Sequence, residues 1–138
     1  MTVIADTSYV VAVAINTDSQ HPQCLAVHRL QQTILLPQSV LAEVAFMLAR
    51  AGGKWATIGF FRGLSQSKYR PIPLRTEDFI RAAEILQKYH DSRVDFVDAT
   101  IAAVAERLDI KTILTLDRRD FGLIRPTHVD NFGILPEL

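Results

Sequence analysis

Residues 112–121 read TILTLDRRDF, and the fold turns on how this stretch is understood. An apolar, β-branched run ends abruptly in Asp117, and two arginines and a second acid, Asp120, follow. Such a run favours a buried strand, so a carboxylate at its end needs a reason. Asp117 either caps the turn or short helix that follows, or belongs to a site built at the strand's carboxyl edge. Asp120 reads as a surface acid or a local cap. The choice for Asp117 depends on whether other acids arrive at the same place.

Working outward, short apolar strands alternate with helices. TVIA (2–5) is a strand that runs into Asp6, and TSYVVAVAI (7–15) is a first helix. DSQHPQCLAVHRLQQ (18–32) supports an amphipathic helix with a stripe of Leu25, Val27, His28 and Leu30. TILL (33–36) is a second strand, ended by Pro37. SVLAEVAFMLARAGG (39–53) is a helix with Ser39 as its cap and paired glycines as its stop, and KWATIGFFRGLSQS (54–67) restarts it. YRPIPL (69–74) is extended, and its two prolines deny it a central place in a sheet. TEDFIRAAEILQKYH (76–90) opens with a threonine cap and carries Phe79, Ala82, Ala83, Ile85 and Leu86 on its apolar face. FVDATIAAVAERLD (96–109) is another helix, TILTL (112–116) a strand, and FGIL (132–135) a last short strand. Strands separated by helices predict a parallel sheet of four to five strands with helices on both faces. No internal repeat or linker divides the chain, so residues 1–138 read as one α/β domain.

Composition narrows the classes. With 49% hydrophobic and 22% charged residues, the chain reads as a globule with a substantial core rather than a disordered tail. A single cysteine, Cys24, excludes an internal disulfide framework and a cysteine-rich zinc site, and fits a reducing compartment. Asp6 interrupts the first apolar residues, and the longest apolar runs fall far short of the roughly 18 residues of a membrane span, so a cytoplasmic protein is expected. The 15 basic and 15 acidic residues balance to zero, which argues against a nucleic-acid binder unless metal ions restore positive charge locally.

The acids supply that condition. Ligands in such sheets lie at the carboxyl ends of the strands, near a switch in strand order. Asp6 and Asp117 both end strands, and Asp98 lies in the first turn of the 96–109 helix, where the same edge is expected. Glu43 sits between Leu41, Ala42, Val44 and Ala45, an apolar setting for a carboxylate. Buried charges are unfavourable unless paired or bound to metal, and four converging carboxylates call for a divalent cation. Hard oxygen ligands suit Mg²⁺ or Mn²⁺, and the chemistry such a site does best is hydrolysis of a phosphodiester by activated water. Local readings compete at each position. Asp6 is a natural cap for the helix after it, and Asp95 and Asp98, spaced D-x-x-D, resemble a reciprocal capping pair in which Asp95 is the cap.

Other constellations carry less. His21, His28, His90 and His128 lack metal-ligand spacing, Cys24 and His28 have no third partner, and AGGKW (51–55) lacks the spacing of a phosphate loop. Arg118 and Arg119, beside the acidic edge, are the candidates for phosphate contacts, against the alternative of a solvated turn.

Four segments in order, VIADTSYVVAVA (3–14), LPQSVLAEVAFMLAR (36–50), DFVDATIAAVAERL (95–108) and ILTLDRRDF (113–121), resemble the signature segments of PIN-domain ribonucleases, most of all the VapC-type toxins of bacterial toxin–antitoxin pairs. The resemblance runs nearly end to end, and each segment carries the acid the family places there: Asp6, Glu43, Asp98 and Asp117. It implies an Mg²⁺- or Mn²⁺-dependent endoribonuclease acting on structured RNA such as tRNA or ribosomal RNA. It further implies a homodimer inhibited by a cognate antitoxin. Asp6 and Asp98 would then be the principal metal ligands, with Glu43 and Asp117 completing the cluster and Asp95 a supporting group. Phe46, Met47, Trp55, Phe60 and Phe61 offer apolar surface for a dimer or antitoxin. Two rivals remain: a PIN-like module that binds RNA or a partner without cutting, and a phosphoacceptor receiver-like domain. The latter needs an acidic pair at the first strand and an acid ending a middle strand, which TVIADTS and TILLPQS do not supply.

Overall fold

A computed structural model of the chain describes residues 1–137. Along them run β1 (Val3–Ala5), α1 (Thr7–Ala14), α2 (His21–Leu30), β2 (Ile34–Pro37), α3 (Gln38–Gly63), β3 (Tyr69–Ile72), α4 (Thr76–Lys88), α5 (Phe96–Arg107), β4 (Thr112–Leu114), α6 (Arg118–Leu123) and β5 (Gly133–Leu135). No helix among the described residues is long and apolar enough to cross a membrane.

The five strands form one sheet in the order β3-β2-β1-β4-β5, and every neighbouring pair is parallel. Val3, Ile4 and Ala5 of central β1 are all fully buried. Successive strand residues point to opposite faces, so burial of all three means that helices cover both faces. The same continuous burial made the strands legible as unbroken apolar runs. YRPIPL forms the edge strand β3, where the missing proline N–H leaves no gap in a ladder on its outer side. From β1 the chain steps outward through β2 to β3, then returns to lay β4 on the other side of β1. The strand order reverses between β1 and β4, and their carboxyl ends open a crevice at that switch point.

Several local expectations change. Ser39 does not cap α3, because the helix begins at Gln38 directly after Pro37; its hydroxyl instead pairs with that of Thr100 at 2.8 Å and ties α3 to α5. Thr76 is likewise inside α4, whose first turn is closed by the Asp78 carboxylate accepting the Arg75 N–H at 2.9 Å. The two glycines do break α3: Gly53 adopts φ 75°, ψ 178°, a region essentially restricted to glycine. The α2 stripe is shallower than its spacing suggests, with Cys24 as its buried residue and Leu30 82% exposed, since α2 packs chiefly on α1. On α4 the buried residues are Asp78, Ala82 and Ile85, while Phe79 and Ala83 face outward. Asp78 is tolerated inside because Arg107 of α5 donates to both of its oxygens at 2.9 Å.

Candidate metal centre

The crevice between β1 and β4 is a cleft of about 650 Å³ lined by Asp6, Glu43, Asp95, Asp98, Asp117 and Asp120, with Thr7 and Ser8 beside them. Every acid singled out in the sequence therefore reaches one place. Parallel register sets Ala5 opposite Leu114, so the residues that follow, Asp6 and Thr115, emerge side by side. Asp6 occupies the cap position of α1, yet its side chain caps nothing. Its Oδ2 instead accepts the Thr115 hydroxyl at 2.8 Å and the Ser8 hydroxyl at 3.3 Å. Glu43 lies in the second turn of α3 and accepts the Thr7 hydroxyl at 2.6 Å.

Two D-x-x-D pairs bring the other acids in. Asp95 caps α5, accepting the Asp98 N–H at 2.9 Å, and Asp98 Oδ2 accepts the Asp95 N–H in return at 3.2 Å. Asp117 caps α6 in the same way, accepting the Asp120 N–H at 3.0 Å. The question raised by TILTLDRRDF thus has a double answer, for Asp117 caps a helix and faces the cleft with one side chain. Asp120 is neither a surface acid nor a cap: it is buried and lines the cleft. Its spacing from Asp117 repeats that of Asp98 from Asp95, and this was the signal in the sequence that could have found it.

Among the described residues, carboxylate oxygens of Asp98, Asp117 and Asp120 come within 4.8 Å of one another. That trio differs from the pairing of Asp6 with Asp98 expected from the sequence. Burial pushes the Asp98 carboxyl up to about 8, with repulsion from Asp95 and Asp6 adding to it. Burial likewise raises Asp6 to about 6, with Glu43 adding to the rise and the Thr115 and Ser8 hydroxyls opposing it. Asp120 is raised by burial and by its neighbour Asp117.

No salt bridge among the described residues reaches any of these acids, whereas buried Asp78 has its arginine. Clustered carboxylates that no salt bridge neutralises form the donor set that a hard divalent ion such as Mg²⁺ or Mn²⁺ satisfies, and among the described residues no histidine or cysteine lines the cleft. The residues present fit such an ion.

A model of the PIN domain matches residues 3–125. The chain belongs to the PIN-domain family. It is of the VapC type: Ribonuclease VapC26 of Mycobacterium tuberculosis is 33% identical over 97 residues, spanning 70% of this chain and 72% of that protein. Among solved structures, VapC20 of Mycobacterium tuberculosis, a sarcin–ricin loop cleaving toxin, superposes with a TM-score of 0.77 at 22% identity, over 86% of this chain and 92% of that one. A chain of the DNA-bound VapBC complex of Salmonella typhimurium superposes with a TM-score of 0.70 at 15% identity, over 97% and 96%. At these identities the two structures speak to the fold.

The arginines of this PIN domain divide between the cleft and its surroundings. Arg118 donates to the carbonyls of Ile134 and Pro136 beside β5, and neither it nor Arg119 lines the cleft. The cleft's cation is Arg93, just before α5, which the sequence reading passed over. Of the apolar residues proposed as partner surface, Phe60 packs against the core beside Tyr69, while Phe46, Met47, Trp55 and Phe61 are exposed.

Proposed function

We propose that the chain is a Mg²⁺- or Mn²⁺-dependent endoribonuclease of structured RNA, the toxin of a toxin–antitoxin pair. The observation that carries this reading is the convergence of carboxylates on the β1/β4 switch point, with Asp6, Asp98 and Asp120 buried and none in a salt bridge among the described residues. A relative called a ribonuclease at 33% identity supports it, as does a structural neighbour that cleaves the sarcin–ricin loop. A VapBC complex among the neighbours supports a cognate antitoxin that covers the cleft, and the exposed apolar residues of α3 suit an antitoxin or a second copy in a homodimer.

Asp98, Asp117 and Asp120 would hold the ion, with Asp6 and Glu43 completing the cluster. A divalent ion so held neutralises charge on the phosphoryl oxygens and lowers the pKa of water. Asp6 is fixed by Thr115 and Ser8, and Glu43 by Thr7, so that both carboxylates keep their direction without reorganising. Asp95 orients Asp98 through the reciprocal cap. The Thr7 and Ser8 hydroxyls on the cleft are committed as donors to Glu43 and Asp6, so in this reading water would be the nucleophile and the acids would position it.

The test is cleavage of a pool of structured RNAs by antitoxin-free protein with Mg²⁺ or Mn²⁺, with EDTA and Asp98→Asn as controls. Cleavage abolished by both controls is the expected result. Folded, metal-loaded protein that binds RNA and never cuts it would move the chain to the binding-module reading.

A further inference from the structure

One wall of the cleft is not acidic. Ala42, Phe46 and Met47 of α3 line it, and Arg93 lies on the same cleft. Phe46 is 61% exposed although it borders buried carboxylates, and the Arg50 guanidinium sits 5.8 Å from its ring centroid. Arg50 is one turn along α3 from Phe46, so it steadies the ring and adds a second positive charge at the same rim. Arg93 makes no hydrogen bond or salt bridge among the described residues, although Asp120 lies near enough to feel its charge. An aromatic face, a free guanidinium and a carboxylate floor together match the chemistry of one nucleotide: a flat base, a phosphate monoanion and the phosphodiester to be cut.

We infer that Arg93 and Phe46 hold one unpaired nucleotide of the substrate, Arg93 on a phosphate and Phe46 stacked on the base. This rests on the proposed nuclease reading and extends it to how RNA is positioned over the acids. An arginine fork matches two phosphate oxygens, and a stacked ring accepts any base that is free of its helix. The cleft volume of about 650 Å³ lies within the roughly 300–1,000 Å³ of pockets that take small-molecule-sized groups, so it has room for one nucleotide freed from its helix. The net charge of zero makes the placement matter, since one well-aimed guanidinium must do what a basic surface does in other RNA-binding proteins.

The experiment measures binding of two RNAs, a stem–loop hairpin and the fully paired duplex of its stem, to wild-type, Arg93→Gln, Arg93→Lys, Phe46→Ala and Phe46→Trp proteins. Ca²⁺ replaces Mg²⁺ in the binding buffer, and Mn²⁺ binding without RNA is followed by calorimetry. Arg93→Gln is expected to weaken hairpin binding about tenfold and to lower the salt slope by about one, while Arg93→Lys retains part of both. Phe46→Ala is expected to weaken hairpin binding about tenfold and duplex binding little, and Phe46→Trp to restore it. Mn²⁺ affinity stays unchanged in Arg93→Lys and in both Phe46 variants and does not fall in Arg93→Gln, which removes a positive charge near Asp120, and this separates RNA positioning from damage to the acids or the fold. Unchanged hairpin affinity and salt slope in Arg93→Gln, or unchanged hairpin affinity in Phe46→Ala, overturns the inference even where wild-type protein cleaves RNA. A Phe46→Ala defect seen only with a protein partner also overturns it. RNA binding that depends on both residues in a protein that never cleaves with Mn²⁺ upholds the inference and removes the nuclease reading instead.

Discussion

The buried hydroxyl of Thr115 donates to Asp6 Oδ2 at 2.8 Å and accepts the Asp117 N–H at 2.9 Å, so one side chain joins the acids at the ends of β1 and β4. Replacement by valine keeps the shape of the side chain and removes both bonds. An Asp117 N–H and a buried carboxylate left without their partner cost about 1–3 kcal/mol. Thr115→Val should therefore lower unfolding stability by that amount in urea titrations. It should also move the pH midpoint of Mn²⁺ binding upward, because the Thr115 hydrogen bond is what holds Asp6 down against burial. Thr115→Ser should restore both. A midpoint that stays in place would show that Thr115 packs and does not tune.

The raised carboxyls give the metal-free protein an unusual pH dependence. A carboxyl whose folded pKa is raised binds a proton that the unfolded chain has released, so stability falls as pH rises between the two values. For Asp6 this window runs from 3.8 to about 6, and Asp98 extends it to about 8. Asp120 acts in the same direction. Asp6 alone contributes on the order of 3 kcal/mol across its window. Thermal unfolding in EDTA should give a lower midpoint at pH 8 than at pH 5. Mn²⁺ should reverse that order, since it binds only the deprotonated cluster and stabilises the folded state by mass action. Metal-free stability that is flat or rising over this range would contradict the burial of these acids as charged groups.

Much of this was readable from the chain. The buried runs of β1 and β4 were legible in VIA and TILTL, although β4 closes at Leu114, two residues short of the expected end. Asp6 therefore follows its strand directly, and Asp117 reaches the crevice from three residues beyond. The capping roles were harder, because a cap depends on where the first helical turn begins. Ser39 lies two residues past Pro37, which holds the cap position of α3, and Thr76 stands just inside a turn closed by Asp78. Asp120 was misread because a six-residue helix gives too little periodicity to show which side faces inward. Arg93 and Arg118 illustrate a further limit: both are arginines near acids, and only the tertiary path decides that one points to the cleft while the other binds the carbonyls beside β5.

If Asp98, Asp117 and Asp120 share an ion, removal of one charge from the trio should weaken Mn²⁺ at least tenfold without unfolding the protein. Asp120→Asn is the sharper case, because the sequence reads Asp120 as a surface acid or a local cap and not as a ligand. Its backbone N–H still donates to Asp117, so α6 keeps its cap. Asp98→Asn should in addition reduce cleavage about 100-fold or more, through loss of several kcal/mol of charge stabilisation. Calorimetry with Mn²⁺ checks both variants. Wild-type affinity in Asp120→Asn would leave that acid a neighbour of the site and not a ligand.

Asp78 supplies the counter-case, a buried acid with its own cation. It is 1% exposed, and Arg107 donates to both of its oxygens while the Arg75 N–H reaches Oδ2. These bonds hold the Asp78 carboxyl below its ordinary value despite its burial, the reverse of Asp6 and Asp98. Removal of one member of a buried pair leaves the other charge uncompensated, which costs about 3 kcal/mol or more. Asp78→Ala should therefore destabilise the α4–α5 packing by that amount in urea unfolding. Because the pair lies outside the acidic cleft, Mn²⁺ affinity of the folded fraction should match wild type. Stability should also drop as the wild-type protein is acidified, since a carboxyl held low loses its contribution as pH falls through its folded value. An Asp78→Ala protein with unchanged stability and weakened Mn²⁺ would place Asp78 in the metal site and undo the distinction between paired and unpaired buried acids.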